Sequence, residues 1–342
     1  MDASYFLISL LNGLSVGLLL FMLASGLTLI FSMMGVLNFA HASFYMLGAY
    51  VGYTIAAASG SFWLALVLAP LLVGLAGAAF ERFALRRVHK FGHVPELLIT
   101  FGLSYIVLEL VQLVWGRAAL NFQPPPSLQG PLFTIVDLPT RLSLAWGAPP
   151  ALCKTVAGAL CTTFPAFRAF GMAVAVAMLV AIWLLLTRTR IGLVIQAALT
   201  HPEMVEALGH NVPRVLMGVF GGGTALAALA GVIGGALRVT EPSMALTVGA
   251  VVFAVIVIGG MGSLAGAFVA SVMLGVLDSF AVGSDGSLAD LLHRIGLPVS
   301  AATPGYALWS VKLSQVAAIL PYLLLVLILV FRPKGLLGKR ED

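Results

Sequence analysis

Along the chain, apolar runs long enough to cross a bilayer alternate with polar intervals. A helix needs about 20 apolar residues to span the hydrocarbon core. The runs at 5–33, 39–58, 62–80, 96–116, 168–187, 215–236, 247–261, 264–283 and 313–331 therefore predict nine crossings, give or take one. The pair 247–261 and 264–283 is irregular, because the first run is short and its joint, GGMGS, is too brief for a solvated loop. A re-entrant segment is the alternative to a full crossing there. The expected fold is all-α, a polytopic integral membrane protein of about 8 to 9 transmembrane helices in a single domain over 1–342.

Composition supports this pattern. Of the 342 residues, 61% are hydrophobic and only 9% charged, against about a quarter charged in soluble domains. The placement of charge then suggests an orientation, since loops rich in Lys and Arg stay in the cytoplasm. Eleven of the 18 basic residues are Arg82, Arg86, Arg87, Lys90, Arg188, Arg190, Arg214, Arg332, Lys334, Lys339 and Arg340. These three groups alternate with longer connections at 117–167, 237–246 and 284–312, so the expectation is a periplasmic N-terminus and a cytoplasmic C-terminus. A signal peptide is not expected, because no basic region precedes the long first run. The net charge of +5 is accounted for by these anchors and carries no implication of nucleic-acid binding.

Cys153 and Cys161 both fall in the 117–167 connection. On an oxidising face they could be bridged; two free thiols is the other reading.

Little in the sequence points to chemistry within the chain. None of the five lysines lies in a GxxxxGK[ST] loop, so no phosphate-cradling motif for ATP is present. Neither HExxH nor CxxC occurs, the six histidines are scattered, and no metal or cofactor site is expected. Within the predicted spans the ionisable side chains singled out are Glu109 and Asp278, plus His41. That is sparse for a carrier driven by protons or sodium, which buries several such groups. An energy source outside the chain fits better.

The polar stretch RTRIGLVIQAALTHPEMVEALGHNVPRV at 188–215 contains HPEMVEALG. Pro202 suits the first turn of a helix, Glu203 and Glu206 lie near its positive end, and Gly209 can end it. A plain linker has no use for Met204, Val205, Ala207 and Leu208, whereas a docking helix does.

Taken with GLTLIFSMMGVLNFAHASFYMLGAYV (26–51), ERFALRRV (81–88), TFGLSYIVLELV (100–111), VIGGMGSLAGAFVASVMLGVLDS (257–279) and RPKGLLG (332–338), this stretch resembles the LivH-type permeases of branched-chain amino acid ABC importers. That group includes permeases for urea and amides. The resemblance implies a bacterial inner-membrane subunit paired with a LivM-like second permease, two cytoplasmic ATPases that carry ATP and magnesium, and a periplasmic substrate-binding protein. It also implies that 188–214 is the cytoplasmic coupling loop, with Pro202, Glu203, Glu206, Ala207, Leu208 and Gly209 forming the helix that meets an ATPase. The segments 141–167 and 284–311 look longer than a leucine permease requires, and both are expected to face the binding protein.

The break at 35–40 is read with this in mind. Asn38 is expected to cap a helix starting near Phe39, with His41 in the first turn binding a neighbouring carbonyl. The functional alternative is that this break borders the solute path, along with Glu109, Gly262, Ser263 and Asp278. The chain itself is expected to be a transport subunit and not an enzyme. A stand-alone secondary carrier or facilitator for a small amide such as urea is the rival reading.

Overall fold

The computed structural model describes residues 3–138, 141–156, 159–284, 286–294, 296, 303 and 306–338. Its helices follow the apolar runs. In chain order they are α1 (Ala3–Met34), α2 (His41–Ser59), α3 (Phe62–Phe80), α4 (His93–Trp115), α5 (Ala166–Arg188), α6 (Arg190–Thr200), α7 (Pro202–Ala207), α8 (Val212–Leu237), α9 (Met244–Gly259), α10 (Leu264–Val282) and α11 (Leu313–Phe331). Seven of them, among the described residues, are long and apolar enough to cross a membrane; α2 and the shorter α9 complete the set of apolar segments. α3 is prolonged by a π-helical stretch, Glu81–Leu85, and a turn, Arg86–His89.

The core is built where α1, α2, α3, α8 and α10 meet. Small residues permit this close approach. A Cβ at Gly48 of α2 would meet the backbone of Ala228 on α8, and one at Gly231 would lie 2.9 Å from the carbonyl carbon of Tyr45 and 3.0 Å from Ala49 N. Between helices in lipid, such backbone proximity supplies the dispersion contacts that water would otherwise drive by exclusion. By contrast α4 and α11 are peripheral and expose Leu98, Leu110, Leu113, Val326 and Val330.

The bundle has two chemically different ends. At one, Arg86 donates to the carbonyl of Pro213, Met33 packs with Ile195 and Val219, and Leu336 N–H reaches Ile258 O at 2.8 Å. The described members of all three basic groups thus share this end; Lys339 and Arg340 lie outside the described residues. At the other end, Leu120 pairs with Thr240 and Ser287 with Lys312, while Arg168 donates to Asn12 Oδ1. Helix α9 starts beside the Thr240 end and finishes beside 336–338. It therefore runs the length of the bundle rather than re-entering, although its 16 residues rise only about 24 Å.

One connection departs from an all-helical expectation. Strands β1 (Pro131–Leu138), β2 (Arg141–Trp146) and β3 (Leu160–Pro165) form an antiparallel sheet in the order β2-β1-β3. A search for bilayer-length apolar runs passes over strands this short. Phe133 stacks on Phe164 across the sheet, and Cys153 and Cys161 are bonded, with Cα atoms 6.0 Å apart.

The packing makes a specific demand at Gly231. Replacing it with Leu should destabilise the purified protein by about 1–3 kcal/mol or more, the usual range for overpacking, and lower its melting temperature in detergent. Ala at Gly222, where a Cβ meets nothing within 4 Å, should leave the melting temperature unchanged.

Candidate functional site

The break between α1 and α2 is a stretch of non-helical backbone within the bundle. Gly35, at φ 65°, closes α1 with its N–H on Phe31 O, and the chain then turns back along the helix it has just left. His41 Nε2 lies 3.0 Å from the carbonyl of Leu23. Leu23 is eleven residues before the end of α1, so α2 begins about 16 Å back into the bundle.

Backbone groups at such depth must find partners inside the protein. Thr100 of α4, fully buried, accepts from Phe39 N–H at 3.4 Å and lies 3.5 Å from Leu37 O. The Asn38 side-chain oxygen accepts from Ala40 N–H at 3.1 Å, and the Asn38 carbonyl accepts from His41 N–H. The expected cap is thus displaced: α2 begins at His41, its N-cap is Ala40, and Asn38 closes a turn ahead of it instead of capping a helix from Phe39. The cause is local, because Thr100 already holds Phe39 N–H outside a helical turn.

Against this break lies a cavity of about 380 Å³. Its walls come from the 35–40 segment, α2, α4, α9 and α11, with Phe39, Phe101, Tyr105, Phe253 and Tyr322 as the large side chains. Phe39 stacks on Phe253 and meets Phe101 edge-on. Asn38 and His41 border the same cavity and are themselves buried. Each keeps one side-chain nitrogen with no partner, Asn38 Nδ2 and His41 Nδ1.

The other sequence-selected residues lie elsewhere. Glu109 is on the exposed face of α4, beside Arg117 in a shallow groove. Gly262 lies at the basic end, where a Cβ on it would come within 3.6 Å of Ser32, and Ser263 caps α10 by accepting from Gly266 N–H. Asp278 is half-buried on α10, next to Ser279, whose hydroxyl donates to Ser9 O. None of these four lines the cavity.

At the basic end, α6 and α7 form a small layer on the bundle. Thr189 caps α6 and Asn211 caps α8, each through its side-chain oxygen. Within α7, Val205 is buried with Ala198 and Val212, whereas Met204 is 63% and Leu208 78% exposed. Glu203, Glu206 and Ala207 are exposed as well. Gly209 follows at φ 87°. Its N–H bonds Glu206 O and the next N–H, of His210, bonds Val205 O, the Schellman arrangement in which glycine avoids the left-handed penalty.

Two buried carboxylates were not singled out from the sequence. Glu81 forms a bidentate pair with Arg86 at 2.6 and 3.1 Å, and the same guanidinium holds Pro213 O at 2.6 Å. Glu96 is 1% exposed and is met by His89 Nδ1 and, at 3.3 Å, by His93 Nδ1. The signal in the sequence is Glu96 at the first position of the 96–116 run, with His93 three residues and His89 seven residues before it.

The comparisons with known proteins agree with this architecture. The family model for the permease component of the branched-chain amino acid transport system matches residues 9–330. The high-affinity branched-chain amino acid transport system permease protein LivH of Salmonella typhimurium is 27% identical over 350 residues, covering 98% of this chain and 97% of its own. BraD of Pseudomonas aeruginosa, described in the same words, is 26% identical over 347 residues with the same coverage of both chains. A probable LivH of Methanocaldococcus jannaschii is 26% identical over 266 residues, 76% of each chain. No solved structure matches.

The role of Thr100 can be measured directly. Thr100→Val keeps the shape but strands Phe39 N–H, and should cost about 1–3 kcal/mol, the penalty for a buried unsatisfied donor. Thr100→Ser should recover most of that loss in the same thermal melt.

Proposed function

The chain belongs to the branched-chain amino acid permease family, a family of transport components and not of enzymes, and from that premise we propose that it is the membrane subunit of an ATP-driven importer of branched-chain amino acids. The observation that carries the reading is α7. It is a short helix with a buried anchor, Val205, and an exposed apolar pair, Met204 and Leu208, in a chain that has no nucleotide-binding loop of its own. An exposed apolar face on a membrane protein's basic end is a docking surface for a soluble partner. The partner is an ATPase subunit, which brings ATP and magnesium. Two such subunits, a LivM-like second permease and a periplasmic binding protein complete the assembly.

The shared location of the basic groups supports a cytoplasmic face for α6 and α7 and a periplasmic face for the sheet. On this reading the membrane is the bacterial inner membrane, with the N-terminus periplasmic and the C-terminus cytoplasmic. The cavity beside Asn38 and His41 is then a station on the solute path. Glu109, Gly262, Ser263 and Asp278 are not part of that station. The relatives' names favour branched-chain amino acids as solutes over the amide or urea alternative.

Two measurements test this reading. Leu208→Glu removes apolar docking area, and Gly209→Val strains the φ 87° stop. Each should leave membrane insertion intact, reduce recovery of the ATPase in a detergent pull-down, and lower leucine uptake at least about tenfold, the consequence of losing about 1.4 kcal/mol of coupling. Full uptake with full ATPase recovery in both variants would overturn it. Separately, single cysteines at Arg87 and Arg214 should resist an impermeant thiol reagent in intact spheroplasts while one at Gln129 reacts, and Cys153 and Cys161 should label only after reduction. Equal labelling at all three positions would refute the orientation.

A further inference from the structure

We infer that the Asn38–His41 wall of the cavity is a headgroup site for a zwitterionic α-amino acid, with the cavity's aromatic and aliphatic walls receiving an apolar side chain. The inference rests on the importer reading and specifies what the station recognises. It follows from which hydrogen-bonding roles are already taken.

A backbone carbonyl can only accept, so the contact between His41 Nε2 and Leu23 O places the ring hydrogen on Nε2. In the neutral imidazole that leaves Nδ1 as a bare acceptor, and Nδ1 has no partner. Ala40 N–H can only donate, so the Asn38 atom facing it is the oxygen. The Asn38 amide nitrogen is then an unused donor, also without a partner. Asn38 and His41, three residues apart in sequence and both on the cavity's lining, therefore hold one unused donor and one unused acceptor, each shielded in this conformation. A carboxylate satisfies the first and an ammonium the second.

Charge selects further. No Asp, Glu, Lys or Arg lines this cavity, so a solute with net charge would stay uncompensated there, which is unfavourable at membrane depth. A zwitterion carries no net charge and brings its own opposite pair. The rest of the lining, including Leu27, Leu37, Phe101, Leu108, Val252 and Phe253, suits an aliphatic or aromatic side chain. The volume of about 380 Å³ lies at the small end of the range of about 300–1,000 Å³ for ligand sites.

Both nitrogens are shielded in the described conformation, so the site is occluded and is completed by a shift of the 35–40 segment or a turn of the Asn38 amide. The segment is suited to this, since its backbone is held by Thr100 and Asn38 side chains at 3.1–3.5 Å and not by a helical ladder. An unpaired buried polar group is destabilising, and a ligand that pairs both nitrogens relieves that penalty.

The test uses the assembled transporter in nanodiscs without its binding protein, so that the membrane site alone selects. Binding of L-leucine is compared with 4-methylpentanoate, which lacks the ammonium, and 3-methylbutylamine, which lacks the carboxylate. Leucine should bind at least tenfold more tightly than either. Asn38→Ser keeps an acceptor for Ala40 N–H but replaces the amide donor with a hydroxyl on a shorter side chain, whose one O–H sits further back; it should weaken leucine about tenfold while leaving 3-methylbutylamine unchanged. His41→Leu should weaken leucine while leaving 4-methylpentanoate unchanged, and His41→Gln, which restores a donor and an acceptor, should regain part of the leucine affinity. A general packing defect would weaken all three ligands alike, and that result overturns the inference. So does equal binding of the three ligands, or no binding of leucine, to the wild-type assembly, which needs no variant to fold. Leucine uptake is measured in parallel with the binding protein and ATP present. Absent uptake by the wild type indicts the importer reading, whereas normal uptake with no selective binding indicts only the headgroup site.

Discussion

Every unusual feature of this bundle traces to one rule: a peptide group that enters a bilayer away from helix or sheet must be met by another part of the protein. The chain breaks that regularity at 35–40 and meets the requirement with a small set of side chains. Thr100 holds Phe39, Asn38 holds Ala40, and His41 reaches back to Leu23. If the break were helical, α2 would begin at the end of the bundle and no cavity would separate it from α4, α9 and α11. The polar residues in the greasy run are therefore needed first by the backbone. What each has left over, a donor on Asn38 and an acceptor on His41, is available for a ligand.

Close packing fixes the other side of the same element. Helix α2 is pressed onto α8 through Gly48 and Gly231, where any side chain would overlap the opposite backbone. That rigid contact anchors α2 while the break beside it is held by a few long hydrogen bonds. One helix thus carries a closely packed face toward α8 and, at its start, a face toward the cavity held by side-chain hydrogen bonds. Tyr45 and Phe44 illustrate the rigid face, being buried against α8, whereas Phe39 stands half-exposed at the cavity.

The helices were legible because bilayer thickness makes a long apolar run almost unambiguous, and eight of the nine runs needed adjustment only at their ends. The character of the short run 247–261 was harder to read, since length alone left a re-entrant hairpin open. Its role followed only from where its ends dock, at Thr240 and at Leu336. The sheet was invisible for the opposite reason: strands of six to eight residues carry no bilayer-scale signal. Within the site, Asn38 and His41 stood out because polar side chains are rare at that depth. Phe101, Phe253 and Tyr322 did not, because aromatic residues are unremarkable in a span and only tertiary structure shows which of them face one cavity. Glu109 and Asp278 attracted notice for their charge, yet they lie off the cavity, where charge can be hydrated.

The position of α7 relative to the cavity has a mechanical consequence. Just beyond α7, Pro213 is gripped by Arg86, which is itself paired with Glu81 at the π-helical end of α3. From Arg86 the chain runs through His89 and His93 to Glu96, and one turn further along α4 stands Thr100, the residue that holds the break. Contiguity of this kind is not yet coupling, which requires an element with two arrangements whose balance both ends can shift. The 35–40 segment is the member of the series held by side-chain hydrogen bonds in place of a helical ladder. Its neighbours are helices whose ladders would have to be broken, while its own backbone can exchange one side-chain partner for another at small cost. The least regular backbone on this route is therefore the stretch beside the cavity, between Gly35 and His41.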